Sequence, residues 1–82
     1  MITAARAEAI FVSTLSVDDR PTPTEIEAAI RHAIRTHGGS RAIAGDVAAA
    51  YGDYPETAPA RMRWARRIVE GMRCRDTLAA AA

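Results

Sequence analysis

Apolar residues recur along this chain at the three- and four-residue spacing of helices, and polar or glycine-containing stretches divide them into four segments. The second segment is the most regular. Ile26, Ala29, Ile30, Ala33 and Ile34 form one continuous stripe and predict a helix over residues 23–37. Thr22, Pro23 and Glu25 make a capping box with proline at the first helical position, and Gly38-Gly39 stops the helix with one glycine in the left-handed conformation. Glu27 and Arg31, four apart, are expected to pair on its wet side.

The other segments are less regular. Residues 3–15 predict a first helix, with Ile2, Ala5, Ala9 and Val12 on one stripe and Phe11 and Leu15 on a neighbouring one. So broad an apolar arc has two readings: burial against the helices that follow, or a surplus face covered by a second chain. Residues 16–21 are a charged linker, closed by Pro21. Residues 41–51 predict a third helix, capped by Ser40, with Ile43, Ala44, Val47, Ala48 and Tyr51 inward and Gly45 where a neighbouring helix comes close. Gly52 is expected in the turn that follows. A fourth helix spans residues 57–75; Pro59 favours a start at Thr57 over one at Asp53. Its inner stripe is Met62, Ala65, Ile68, Val69 and Met72, and its outer face carries Arg63, Arg66, Arg67, Glu70 and Arg73. Residues 78–82 read as a low-complexity alanine tail, frayed or disordered, behind a single helical domain of residues 1–77. The fold class expected is all-α: a small four-helix domain whose last two helices form a helix-turn-helix-like hairpin over the second.

Composition limits the core. A chain of 82 residues buries only about 60 to 65% of its unfolded surface, and its aromatics are confined to Phe11, Tyr51, Tyr54 and Trp64. A partner chain that extends the core is therefore plausible. Formal charge is +1, but it is segregated. Residues 1–56 hold five Arg against eight acids, or −3, and residues 57–82 hold six Arg against two acids, or +4. All eleven basic residues are Arg, a bias suggestive of a high-GC bacterial genome. The lone Cys74 excludes an intrachain disulfide, and no apolar run approaches the ~20 residues of a membrane span. Arg6 and Glu8 interrupt any signal-peptide pattern, so a cytoplasmic location is expected.

Catalytic and metal chemistry find little to use. His32 and His37, five apart, point roughly 140° apart around a helix and do not share a metal easily. Cys74 lies among Arg73, Arg75 and Asp76, which could activate a thiol, but the spacing brings no histidine to it. Gly38-Gly39 lacks the Lys and Ser/Thr of a phosphate loop. The expectation is no enzyme, no cofactor, no metal and no small-molecule substrate.

Residues 46–67 carry the strongest pattern. A helix-turn-helix needs a small residue at the helix crossing, a turn residue tolerant of positive φ, and apolar residues that seat the second helix. Ala48, Gly52, and the set Val47, Tyr51, Ala58, Met62 and Ala65 match these needs in type and spacing. Through Asp46, Ala48, Gly52, Glu56, Thr57 and the Arg-rich run after them, this stretch resembles the promoter-recognition domain of sigma factors and related response-regulator output domains. The resemblance implies DNA contacts from Thr57, Arg63, Arg66 and Arg67. Pro59 and Ala60 offer no hydrogen bonds to bases, however, and Asp53 and Glu56 place negative charge at the tip. The GD-x-PETA and RMRWAR segments are also similar to those of small uncharacterised actinobacterial all-helical proteins, a resemblance that implies a fold and no activity.

Two functions are expected from these readings. The first is a non-catalytic protein–protein interaction module, self-associating as a homo-oligomer, with Phe11, Leu15 and Trp64 as interface candidates, although Trp64 falls beside the inner stripe near Ile68 and reads first as partly buried. The alternative is a small helix-turn-helix DNA-binding regulator or accessory factor.

Overall fold

A computed structural model describes residues 3–81, which form four helices and, among the described residues, no strand. They are α1 (Thr3–Val12), α2 (Pro23–His37), α3 (Ser40–Asp53) and α4 (Ala58–Ala81). The chain is thus the expected small all-α, four-helix domain, with α3 and α4 joined by a short turn. Ile2, placed on the first predicted stripe, lies outside the described residues.

α2 forms as its sequence dictates. The Thr22 side chain accepts from the Glu25 N–H at 3.1 Å, and the Glu25 carboxylate accepts from the Thr22 N–H at 2.9 Å. Gly38 and Gly39 both adopt positive φ, 87° and 108°, and their N–H groups both donate to the Ile34 carbonyl. α3 therefore starts from Gly39, and Ser40 is its first residue without a side-chain cap bond. Glu27 does not pair with Arg31. It reaches α1 and pairs with Arg6, because the helix-to-helix partner lies closer than the one on its own turn.

α1 is the axis of the fold. It touches all three other helices, most extensively α4, while α2 and α4 barely meet. The α3–α4 hairpin consequently closes over α1 rather than α2. Ala7, Ala9, Ile10 and Phe11 are buried on this short helix, and Ile10 has no exposed surface. Alanines at two of these sites let neighbouring axes approach closely. The broad apolar arc of α1 is thereby covered within the chain.

α1 ends at Val12, three residues before the expected boundary, as Ser13 turns the chain. Its hydroxyl donates to the Ile10 carbonyl at 2.6 Å and accepts from the Leu15 N–H at 3.3 Å, local bonds that compete with the helix. α4 runs longer than expected. Its inner stripe of Ala58, Met62, Ala65, Val69 and Met72 is buried, Trp64 joins it from the flank, and the helix continues through the alanine run to Ala81.

The detail of α3 departs from the helix-turn-helix pattern. Ile43 and Val47 are buried, but Ala44 and Ala48 are exposed, so Ala48 is not a crossing point. A Cβ added at Gly45 would meet nothing within 4 Å, so no neighbour requires that glycine. Gly52 stays helical and the chain turns two residues later, where the Tyr54 N–H closes onto the Ala50 carbonyl at 2.7 Å. The tight turn falls after Gly52, at residues 54–57, where the Tyr54 carbonyl accepts from the Thr57 and Ala58 N–H groups at 3.2 and 2.9 Å.

Two outcomes follow from these caps and turns. Gly52 is helical with open space at its Cβ, so Gly52→Ala should raise stability by about 0.5 to 1 kcal/mol in denaturant melts; a loss would mean a left-handed turn there. The bond from the Thr22 backbone holds the Glu25 carboxyl below its ordinary pKa. Its contribution is therefore complete above the ordinary glutamate range and lost as pH falls through the lowered value. In thermal melts, the stability difference between the wild type and Glu25→Gln should shrink as pH drops below about 4.

Candidate functional site

The most heavily bonded polar side chain is Arg61, in the first turns of α4. Its Nε donates to the Phe11 carbonyl at 2.7 Å, and its Nη2 donates to the carbonyls of Ser13 and Leu15 at 3.1 and 2.9 Å. These carbonyls lie at and just beyond the end of α1, where helix geometry leaves acceptors without partners and concentrates negative potential. The guanidinium also lies 4.8 Å from the Trp64 ring centre and 5.9 Å from that of Phe11. Burial lowers its pKa from the very high ordinary arginine value.

Around this clamp the chain forms a shallow groove. Ala60, Trp64 and the stem of Arg61 are on the α4 side and Val17 on the loop between α1 and α2, with Thr57 and Glu56 toward one end and Arg67 on the rim. Val17 is 51% exposed. The loop holding it is a tight turn: the Asp19 N–H donates to the Ser16 carbonyl at 3.0 Å, and the Asp19 carboxylate accepts from the Ser16 N–H at 2.8 Å. Val17 and Asp18 are thereby fixed at the corners of that turn, both exposed.

The outward face of α4 is basic. Arg63, Arg66 and Arg67 are exposed, fall at i, i+3 and i+4, and make no ion pair among the described residues. Glu70 pairs with Arg73 at 3.6 Å. Several acids of the first half that could have neutralised this face are engaged elsewhere: Glu25 in its cap, Glu27 with Arg6, and Asp46 with His37 Nδ1 at 2.6 Å. Thr57 is exposed ahead of α4, and its carbonyl accepts a helical bond from the Arg61 N–H at 3.1 Å. The arginines expected to face DNA are thus all exposed on α4.

The interface candidates are placed differently. Phe11 is buried, stacked on Tyr51 with ring centres 6.2 Å apart, and Trp64 is buried beneath Arg61. Leu15 is half-buried against the same core. Their apolar surface is largely covered within the chain, because α1 sits at the centre and Arg61 closes over its end. His32 faces Thr36 on its own helix, and Cys74 is exposed. Among the described residues, no three His, Cys, Asp or Glu side chains converge as metal ligands.

Arg61 and Val17 are the residues that sequence reasoning misses. Arg61 sits seven residues before the half-buried Ile68 and next to the inner-stripe Met62, so its position on the flank of the buried stripe is the available signal. Val17 carries only one: a lone aliphatic residue in a charged linker.

Comparison of the chain with protein families, with curated proteins and with solved structures gives no match.

Arg61→Ala would leave three carbonyls around the end of α1 without their cation and uncover Trp64. Chemical denaturation should show a loss of about 2 to 4 kcal/mol. Arg61→Lys should recover less than half, since an ammonium cannot span those acceptors as a planar fork does. A loss under about 0.5 kcal/mol, the level of an ordinary surface site, would refute the clamp.

Proposed function

We propose that this chain is a small, non-catalytic helical interaction module that associates with a second copy of itself. The observation that supports this reading is segregated, unneutralised charge beside an exposed apolar groove. Among the described residues, Arg63, Arg66 and Arg67 on α4 make no ion pair, and neither does Asp18 on the loop across the groove. A surface bearing both signs around an apolar centre is suited to a like surface turned by a two-fold axis. The modest core of so short a chain gives a further reason for association.

The same three arginines favour a second reading, a small DNA-binding regulator or accessory factor. In that case the basic face would lie along phosphates, with Thr57 at its leading end. The exposed Ala48 and helical Gly52 count against insertion of α4 as a conventional recognition helix, so backbone contacts are the better-supported form of this alternative.

Sedimentation equilibrium and duplex DNA titration together separate the two. Self-association predicts a concentration-dependent dimer with no duplex binding at low salt. DNA binding predicts affinity that falls steeply with salt, and Arg63→Ala with Arg67→Ala should reduce the log–log slope by about 1 to 2. A strict monomer would exclude the first reading.

A further inference from the structure

The self-association reading leaves open which surface meets the second copy. We infer that the contact is the groove itself, occupied by the Val17 turn of the partner, with Asp18 of each chain facing Arg67 of the other. The inference rests on the self-association reading and assigns its geometry.

Three features carry it. First, the turn is a preformed knob. Its backbone and side-chain bonds at Ser16 and Asp19 hold the chain reversal, leaving Val17 at one corner as an exposed aliphatic side chain and Asp18 beside it without an ion-pair partner among the described residues. Ordering it on binding would cost little entropy.

Second, the groove beside the knob offers an apolar floor of matching scale. Ala60 is small and exposed, and the edge that the largely buried Trp64 leaves beside Arg61 also lines the groove. An aliphatic side chain from outside can rest there without displacing anything. Because Val17 of the same chain forms the opposite wall, knob and groove are neighbours on one patch. A two-fold contact requires this arrangement: whatever one copy inserts, it must also receive.

Third, the charges around that patch are complementary across a two-fold axis that runs crosswise to the line from Asp18 to Arg67. Within the chain, Arg67 lines the groove on α4, Asp18 adjoins the groove-lining Val17 on the loop, and the two do not pair. A two-fold axis through the groove carries Asp18 of one chain toward Arg67 of the other, twice, with Arg63 one turn away along the same helix. Arg61 is less suited to this role, since its Nε and Nη2 already serve three carbonyls.

Charge reversal in trans tests the assignment. Both residues altered are exposed, so helicity by circular dichroism should remain that of the wild type and serves as the folding control. Asp18→Arg alone and Arg67→Glu alone each create two like-charge contacts in a homodimer, and each should weaken dimerisation at least about tenfold in sedimentation equilibrium. Mixing the two variants should restore association. In the heterodimer the two reversed positions face each other at one contact and the two unaltered ones at the other, so both contacts again join opposite charges.

A dimeric wild type whose single variants stay dimeric, or whose mixture fails to recover, would overturn this geometry and leave self-association standing. A monomeric wild type would overturn both. Duplex binding by a monomeric wild type that Arg67→Glu abolishes would assign Arg67 to phosphate instead.

Discussion

The clamp that Arg61 makes on the end of α1 is the interaction on which the rest of the structure depends. A helix of ten residues is too short to be stable on its own, and its last carbonyls have no partners inside it. α4 supplies one cation that satisfies three acceptors around that end and covers two aromatic rings. Polar and apolar contributions act at one place. The guanidinium ties down the end of α1 that Ser13 sets, and Trp64 packs against the same group where α4 crosses it.

From that anchor the arrangement of the remaining helices follows. Ala7 and Ala9 thin the body of α1 so that α2, α3 and α4 can all reach it, and Ile10 fills the centre. An ion pair from Arg6 to Glu27 fastens α2, and the stack of Phe11 on Tyr51 fastens α3. With α1 interposed, α3 and α4 have no large interface of their own. The hairpin between them keeps the outline of a helix-turn-helix without its internal packing, which explains why neither Ala48 nor Gly52 has the role that its spacing suggests.

Much of this is legible in the sequence, and the parts that are not share a cause. The start and stop of α2 can be read residue by residue, because Thr22, Glu25 and the paired glycines act on neighbours within a few positions. The inner stripe of α4 is equally clear from its three- and four-residue spacing. What periodicity cannot convey is which helix lies opposite. The apolar arc of α1 is visible, but not that three helices divide it, so Phe11 and Trp64 read as core or interface alike, and both are buried within the chain. Arg61 is hidden for the same reason. Its partners are 46 to 50 residues away and are backbone carbonyls, which carry no residue-type signature. The outward side of α4 reads as a basic face in sequence and structure alike, because helical phase alone decides it.

Charge placement separates the roles of the two halves. Acids of the first half are used to fasten the fold: Glu25 is held in a cap, Glu27 by Arg6 and Asp46 by His37, each bond joining turns or helices that need fixing. In α4, Arg61 is committed to the fold, and Arg63, Arg66 and Arg67 are exposed and make no ion pair among the described residues. Exposed charges of one sign on adjacent turns repel one another and contribute nothing to helix packing. Solvent and salt screen such charges, so their exposure leaves them open to an anionic surface without requiring one. On the proposed self-association, the turn carrying Asp18 in a second copy would be such a surface, and because that turn sits beside the groove it would enter, an assembly of that kind would close at two chains.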